Sequence, residues 1–284
     1  MNDFVFDLDV ILKTLDISEL TLCKENGLKP ASVSNWIKGI HEPDRRSMEA
    51  IYEYAFEKGL RINNAHEEPF SDLCRKQGLK LLFHGARSPF KEDPDLHHSK
   101  EYNDLGMGFY CGETFLQSAA YIAGYEDSCV YGFGLDLKGL KQYEFSVDTN
   151  WVLTIAYQRG LLKRYHDSKI LKEIVKKSQN KDILIAPIAD NRMFAIIREF
   201  TDGMITDEAC AYALSSYDLG RQYVLKSEKA IERLGFLKQF YLCKKEKEFY
   251  LLEANKMRSE RYDNISDFRS KNRNGKYIEE ILYE

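Results

Sequence analysis

The chain of 284 residues is 44% hydrophobic and 30% charged, and its formal net charge is −4. This length suits two domains, and the composition is that of an ordinary globular protein. The charge gives no global indication of nucleic-acid binding, no apolar run approaches the roughly 20 residues of a membrane span, and the six scattered cysteines form neither a zinc-ligand pattern nor a disulfide framework. Acidic residues at Asp3, Asp7 and Asp9 argue against a signal peptide. We therefore expect a cytoplasmic protein that does not contact membranes.

Residues 1–62 have the apolar spacing of a short helical bundle. Within them, Gly27–Gly39 follows the pattern G-x-x-x-x-x-V-S-x-W-x-x-G, with Pro30 suited to the first turn of a helix and Gly39 to its end. This segment resembles the repressor-type helix-turn-helix domain, whose second helix reads the major groove of DNA. We predict that Val33, Trp36 and Ile37 face the interior of this domain. The outward positions are the candidate nucleic-acid contacts Ser32, Ser34, Asn35 and Lys38.

The charge of this N-terminal segment does not favour DNA. It carries eleven acidic residues against eight basic ones. Because phosphate neutralisation dominates affinity for a duplex, DNA binding requires the basic residues to cluster on one face. Two expectations stay open for this domain: sequence-specific DNA binding, and docking to a protein or to a second copy.

The rest of the chain reads as a polar linker followed by a larger domain. Residues 63–76 are polar and contain Pro69, as linkers do. From residue 77 to 243, short apolar runs alternate with helical patterns, which predicts an α+β domain with a split or sandwiched sheet. The predicted strands are Leu79–Phe83, Cys129–Leu137, Ile183–Ile188 and Gln222–Leu225, and the predicted helices are Phe115–Tyr125, Val152–Arg159, Asp207–Leu214 and Ala230–Phe240. Residues 244–284 alternate charges, which predicts a C-terminal helix or tail.

The first candidate motif is a histidine and a glycine at the end of an apolar strand. His84 can donate from one ring nitrogen and accept at the other, and Gly85 allows a ligand to approach the backbone closely. Arg87 follows, and could either pair with a phosphate or lie on the surface. Alone, a histidine at a strand end is more often structural than functional.

The second motif places tyrosines on both sides of a helix start. Tyr110 ends an aromatic strand flanked by glycines, and Thr114 is a good N-cap for the next helix. Ser118 and Tyr121 are three positions apart, so they project from one helical face. Two phenol rings and a hydroxyl could frame a slot for a flat, cationic, amide-bearing ring, or both tyrosines could be core residues.

The third motif is a strand that contains Gln222. Alternation along the strand puts Tyr223 and Leu225 on one face, and Gln222 and Val224 on the other. Gln222 would then offer a neutral hydrogen-bonding group to a cleft. His97 and His98 are adjacent rather than one helical turn apart, so we expect no metal site.

Together these three motifs resemble the ADP-ribosyltransferase superfamily of the diphtheria-toxin and poly(ADP-ribose) polymerase type. The resemblance covers about residues 79–240. More narrowly, the chain is similar to an uncharacterised bacterial family of ADP-ribosyltransferase-like proteins, whose members often look like toxins of toxin–antitoxin pairs. The blocks that carry this likeness are Gly106–Tyr110, Asp182–Asp190 and Gln222-Tyr223.

The resemblance implies a role for each motif residue with NAD as the substrate and with no metal. His84 would bond the adenosine-side ribose, the Gly85 backbone would hold the nicotinamide carboxamide, and Ser118 would add a second bond to it. Tyr110 and Tyr121 would sandwich the nicotinamide ring. Breaking the glycosidic bond would leave an oxocarbenium-like ribose, whose positive charge the protein must stabilise.

One position departs from the superfamily. A glutamate usually stands where this chain has Gln222, and it anchors the nicotinamide-side ribose and offsets the oxocarbenium charge. Gln222 keeps the hydrogen bond and loses the charge. The related bacterial family also has glutamine here, so the departure does not by itself imply inactivity. Glu113, Asp190 or Glu228 could supply the missing carboxylate.

The sequence thus predicts an NAD-dependent mono-ADP-ribosyltransferase that modifies a macromolecule, which could be RNA, DNA or protein. A toxin of a toxin–antitoxin or anti-phage system, with an antitoxin as partner, fits this expectation. The alternative is a DNA-binding regulator with a weak or inactive NAD-binding domain. An NAD-using RNA 2′-phosphotransferase is disfavoured because no cluster of arginine and histidine lies near the motifs.

Overall fold

A computed structural model describes residues 3–99, 102–189, 191–215, 220–259 and 274–283. Over these ranges the chain is a mixed α+β protein, which confirms the predicted fold class. It divides into two compact units, each built from three segments. The first unit comprises Met1–Pro89, Ser118–Gly134 and Phe236–Ala254, and the second comprises Phe90–Gln117, Leu135–Gly235 and Asn255–Glu284.

In the described residues six helices precede the first strand, and helices and strands are interspersed from there on. The helices are α1 (Asp3–Thr14), α2 (Glu19–Asn26), α3 (Pro30–Ile37), α4 (Arg45–Glu57), α5 (Ile62–Ala65), α6 (Glu67–Gln77), α7 (Phe115–Ile122), α8 (Thr149–Gln158), α9 (Lys169–Ser178), α10 (Asn191–Thr201), α11 (Asp207–Ser215), α12 (Glu228–Ile231), α13 (Lys244–Ser259) and α14 (Ile278–Leu282). Short 3-10 helices cover Leu96–His98 and Lys163–Tyr165. The strands are β1 (Lys80–Ala86), β2 (Phe109–Gly112), β3 (Cys129–Leu135), β4 (Gln142–Glu144), β5 (Ile183–Pro187), β6 (Arg221–Leu225) and β7 (Leu234–Tyr241).

The N-terminal part of the first unit is the helical bundle that the apolar spacing predicts. Ser18 caps α2 by accepting from the Thr21 backbone N–H, and Gly27 ends that helix with a left-handed φ of 64°. Val33 and Trp36 of α3 are buried, as predicted. The expectation for Ile37 is wrong: this residue is the last of α3, and its side chain is 37% exposed.

The predicted linker 63–76 is largely helical, since it is covered by α5 and α6. Its polar composition suits a surface helix as well as a linker. Glu67 and Glu68 occupy the first turn of α6, where the helix dipole favours acids, and Pro69 follows in the same turn, where its missing N–H costs nothing. Gly78 ends the helix in a left-handed conformation.

Strands β1, β3 and β7 of the first unit are neighbours in the order β1-β3-β7. Strand β7 corrects the predicted helix Ala230–Phe240: the helix stops at Ile231 and an extended strand follows. Aromatic packing explains the difference, because Phe236 of β7 packs against Tyr131 and Phe133 of β3 with ring centroids 6.3 and 6.2 Å away. Pairing between distant segments has overridden the local helical pattern.

The sheet of the second unit has the order β4-β5-β6-β2, with β4 parallel to β5 and the other pairs antiparallel. One face of this sheet, carrying Leu184, Ala186 and Val224, packs against buried side chains of α8, α10 and α11. The largest of these is Trp151, which is fully buried. Over the part of the chain that the structure describes, no helix is both long enough and apolar enough to cross a bilayer.

A buried carboxylate joins the N-terminal helices to β7 within the first unit. Asp7 of α1, which is 1% exposed, accepts hydrogen bonds from the Tyr52 hydroxyl at 2.5 Å, His66 Nε2 at 2.6 Å and Lys238 Nζ at 3.0 Å. Burial alone would raise the pKa of Asp7. The hydrogen bond from His66 and the charge of Lys238 outweigh burial, so the pKa is lowered and the carboxyl stays ionised.

A second buried carboxyl, that of Glu246, lies in α13. Glu246 accepts from the Asn63 side-chain amide at 2.8 Å and from the Tyr250 hydroxyl at 3.4 Å. Burial raises the pKa of Glu246 to about 7, although both hydrogen bonds and the charge of Arg61 oppose the shift. This carboxyl therefore titrates near neutral pH.

Replacing Glu246 with glutamine is expected to remove one component of the pH dependence of stability. The pKa of Glu246 is about 7 in the folded protein against 4.5 for the unperturbed group, so its contribution is complete below the lower value and is lost as pH rises through the higher one. Relative to Glu246→Gln, the wild type should lose up to about 3 kcal/mol of unfolding free energy between about pH 5 and pH 8. Urea titrations at several pH values measure this difference. Glu248→Gln, at an exposed position of the same helix, is the control, and parallel pH profiles for wild type and Glu246→Gln would contradict the assignment.

Candidate functional site

Helix α7 packs directly on β1 and brings two of the predicted site residues together. The Ser118 hydroxyl donates to the Phe83 carbonyl at 2.9 Å. A Cβ added to Gly85 would lie 2.5 Å from the Ser118 carbonyl oxygen and 3.0 Å from Cγ2 of Ile122. The sequence analysis interpreted Gly85 as a position that lets a ligand approach the backbone. In the structure, the missing side chain of Gly85 makes room for helix α7.

Ser118 and Tyr121 lie in different surroundings although they are three positions apart. Ser118 is 5% exposed and faces the β1 backbone, whereas the Tyr121 side chain is 67% exposed. The residues that α7 presents to Gly85 are Ser118 and Ile122, one helical turn apart. The predicted common face thus separates into a buried hydroxyl and a solvent-exposed ring.

His84 and Arg87 occupy the last part of β1 and the position just beyond it. His84 is half-buried, and Arg87 is exposed. The Arg87 guanidinium carbon lies 4.5 Å from the centroid of the Tyr125 ring, a cation–π distance. An exposed guanidinium resting on an aromatic ring remains able to bind an anion.

In the second unit, the pairing of β2 with β6 places Tyr110 and Gln222 on one face of the sheet. Gly112 lies opposite Gln222, and Tyr110 lies opposite Val224. Because side chains alternate along strands, these residues share a face, and Tyr223 and Leu225 take the other. The alternation predicted for this strand is confirmed.

Gln222 lies on β6, between strands β2 and β5. Its side chain is 7% exposed, and Nε2 donates to the Pro187 carbonyl of β5 at 3.1 Å. The bond fixes the orientation of the amide, so that its oxygen points away from Pro187. Gln222 is therefore a positioned, neutral hydrogen-bonding group.

Tyr110 has a half-buried ring and a hydroxyl bonded to the preceding loop. The hydroxyl donates to the Gly106 carbonyl at 2.6 Å and accepts from the Leu105 N–H at 3.1 Å. Burial raises the pKa of Tyr110, so the phenol remains protonated. This tyrosine cannot act as a base at neutral pH.

Lys226, which the sequence analysis did not single out, also bonds to the loop that precedes β2. Its ammonium donates to the Leu105 carbonyl at 2.7 Å and to the Met107 carbonyl. Burial lowers the pKa of Lys226 to about 8. A Cβ on Gly108 would lie 2.6 Å from the Leu225 carbonyl oxygen, so the glycine allows the loop to approach β6. A lysine following directly on an apolar strand was the only sequence signal for this contact.

Of the three carboxylates considered as replacements for the missing glutamate, Glu113 has its backbone next to β6, opposite the residue that precedes Gln222. The Glu113 N–H donates to the Arg221 carbonyl at 3.2 Å, one position along the register from the Gly112–Gln222 pair. Glu228 lies in α12 beyond the other end of β6, six residues from Gln222 and roughly 20 Å away along an extended chain. Asp190 lies outside the described residues.

The start of α7 is capped by two side chains three positions apart. Thr114 accepts from the Gln117 N–H at 3.3 Å, which confirms the predicted N-cap. Gln117 Oε1 in turn accepts from the backbone N–H groups of Glu113 at 2.9 Å and Thr114 at 3.0 Å. This Thr-x-x-Gln capping arrangement fixes the backbone next to Glu113, and the spacing was visible in the sequence.

The predicted nucleic-acid contacts lie on or just after α3. Ser32, Ser34 and Asn35 are partly exposed, and Lys38, the C-cap residue, is exposed. They are accessible to a partner, and their contact with DNA stays a prediction.

Comparison with known proteins assigns the chain to a family. Residues 80–236 match the profile of the family described as "Protein of unknown function (DUF3990)". The match covers more than half of the chain, and this protein therefore belongs to that family. It includes the candidate residues from His84 to Gln222. No curated protein and no solved structure matches the chain.

Proposed function

We propose that this protein is an NAD-dependent mono-ADP-ribosyltransferase that modifies a macromolecule, with an ADP-ribosyltransferase-like split sheet and an N-terminal helix-turn-helix. The pairing of β2 with β6 carries the proposal. It aligns Tyr110 and Gln222 on one face, and the Glu113 backbone, just past the end of β2, bonds to the Arg221 carbonyl. Because Glu113 lies beyond the regular alternation of β2, its carboxylate is our candidate for the charge that position 222 lacks.

The proposed reaction breaks one bond and forms one. The bond between the nicotinamide nitrogen and C1′ of the ribose breaks, and nicotinamide leaves with the bonding pair. A nucleophile of the acceptor then attacks C1′ and loses its proton. Gln222 would bond the ribose hydroxyl, and Glu113 would offset the positive charge that develops on the ribose. The protonated Tyr110 would contribute its ring rather than a base.

Within the first unit, taken by itself, the family resemblance assigns Gly85 and Ser118 to the nicotinamide carboxamide. The Ser118 hydroxyl uses its proton on the Phe83 carbonyl, and its oxygen retains a lone pair that can accept from the carboxamide NH₂. Gly85 and Ser118 adjoin each other across the contact between β1 and α7. The exposed ring of Tyr121 is free of steric cover and could stack on a flat ligand.

Changing Glu113 to glutamine is the sharpest test of the proposed mechanism. The ribose charge develops only in the transition state, so kcat should fall about 100-fold while KM for NAD changes little. Gln222→Ala should also lower kcat. Nicotinamide release from NAD gives the rate, and transfer of biotinylated ADP-ribose to extract components, sorted by nuclease and protease sensitivity, gives the acceptor class.

Two variants at exposed positions serve as matched controls. Glu232→Gln and Gln142→Ala make the same chemical changes on surface side chains and should leave turnover within about twofold of wild type. A wild-type protein that releases no nicotinamide and transfers no label to RNA, DNA or protein would defeat the proposal.

One observation favours a second function, that of a DNA-binding regulator that senses NAD without turning it over. Gln222 carries no charge, and its amide is already bonded to the Pro187 carbonyl. This function predicts that NAD raises the melting temperature without product formation. It also predicts salt-dependent duplex binding that weakens in Asn35→Ala and Lys38→Ala.

A further inference from the structure

The turn after α7, formed by Gly124, Tyr125, Glu126 and Asp127, is an exposed connection to β3. Its own hydrogen bonds are few: the Tyr125 N–H donates to the Ile122 carbonyl at 3.0 Å, and the Ser128 hydroxyl donates to the Tyr125 carbonyl at 2.7 Å. We call these four residues the 124–127 turn. A turn of this kind needs outside contacts to hold a single conformation.

Two basic residues from distant parts of the first unit supply such contacts. Arg45, at the start of α4, donates to the Glu126 carbonyl at 2.9 Å and pairs with the Asp127 carboxylate. Lys247 of α13 donates to the Tyr125 carbonyl at 3.1 Å and to the Glu126 carbonyl at 2.6 Å. The turn is therefore bound at its backbone from both sides, by the N-terminal helices and by the C-terminal helix of the unit.

The 124–127 turn carries the ring on which Arg87 rests. The guanidinium carbon of Arg87 lies 4.5 Å from the centroid of the Tyr125 ring. Since the carbonyl of Tyr125 is one of the groups that Lys247 holds, the position of the ring depends on the same contacts. Arg87 itself follows β1 directly, two positions after Gly85.

We infer that Arg45 and Lys247 are positioning residues, which fix the Tyr125 ring and thereby present the Arg87 guanidinium to an anionic ligand. Under the proposed function, on which this assignment rests, the ligand is the pyrophosphate of NAD.

The pyrophosphate keeps its charge throughout the reaction, which sets the kinetic signature of this role. Loosening Arg87 weakens the ground state and the transition state equally, so KM for NAD rises and kcat is unchanged. A residue needed only for stability would lower the amount of active protein and leave KM as it is. The split between KM and kcat therefore separates positioning from a general structural role.

Arg45→Met is the test, and Arg46→Met is its control at the next, equally exposed position. In Arg45→Met and in Lys247→Met, amide hydrogen exchange in the 124–127 turn should become about threefold to fivefold faster, as expected for losing an exposed charged contact. KM for NAD should rise by the same factor with kcat within about twofold. Arg87→Met should raise KM without changing the exchange of the turn, and Arg46→Met should change neither.

The exchange measurement keeps the inference separate from the proposed function. Unchanged exchange in Arg45→Met overturns the inference whether or not the protein turns over NAD, and so does faster exchange with an unchanged KM. If the wild type releases no nicotinamide, the proposed function fails. The quantity measured in each variant is then the affinity for inorganic pyrophosphate instead of KM for NAD. Weaker pyrophosphate binding in Arg45→Met and Arg87→Met would then support the positioning role, and no difference from Arg46→Met would overturn it.

Discussion

Replacing Gly85 with alanine is expected to destabilise the protein by about 2–3 kcal/mol, the cost of forcing a methyl group into a close-packed contact. The new Cβ would lie 2.5 Å from the Ser118 carbonyl oxygen, which belongs to the backbone of α7 and cannot move away as a flexible side chain can. The helix must shift off β1, and the bond from Ser118 to the Phe83 carbonyl should weaken with it. Urea denaturation of the purified variant measures the loss.

Gly124→Ala is the matched control for this substitution. It lies just beyond the same helix, and a Cβ there meets nothing within 4 Å. Its unfolding free energy should stay within about 0.5 kcal/mol of wild type. A Gly85→Ala protein as stable as Gly124→Ala would mean that α7 does not approach β1 as closely as described.

Replacing Asp7 with asparagine is expected to cost about 3–5 kcal/mol, because it leaves the buried Lys238 ammonium without its carboxylate. The loss should be pH-dependent. The pKa of Asp7 is lowered in the folded protein, so its contribution is present above the pKa of the unfolded chain and disappears as pH falls through the folded value. The variant should therefore approach wild-type stability only under strongly acidic conditions.

Two further variants keep this prediction decidable. Asp9→Asn, on the same helix, breaks an exposed pair with Lys13 and should cost less than about 1 kcal/mol. If Asp7→Asn fails to fold, the double variant Asp7→Leu with Lys238→Met removes both charges at once. It should be more stable than either single change, because neither partner of the ion pair is left buried without the other. A double variant that is less stable than both single variants would contradict this explanation of the loss.

The local elements of this chain follow from its sequence, because they rest on interactions between near neighbours. Helices α1 to α4, the Thr114 cap and the alternation of Gln222 with Tyr223 each depend on residues within a few positions. The same reasoning failed for β7, where a helical pattern was overridden by packing on β3. No rule based on neighbouring residues could identify β3 as the strand that β7 packs against.

The candidate site divides in the same way. Sequence motifs single out Gln222 and name three possible carboxylates, but only strand pairing shows that the Glu113 backbone meets β6 at Arg221 and that Glu228 lies beyond the far end of the strand. A lysine in a sequence indicates a surface position, so the buried roles of Lys238 and Lys226 could not be read from their identity. The sequence analysis singled out Gly85, but the reason for a glycine at this position, the close approach of α7, is visible only in the structure.

The separation of Asp7 from Lys238, 231 positions along the chain, has a consequence for how the protein is made. The ribosome synthesises the helix that carries Asp7 before strand β7, which supplies the Lys238 ammonium. At translation rates of ~5–20 residues per second, the intervening residues take tens of seconds to synthesise. During that delay the Asp7 carboxylate remains hydrated, and the N-terminal helices lack their contact with Lys238 of β7. The helix that carries Asp7 can therefore complete this contact only after β7 has been synthesised.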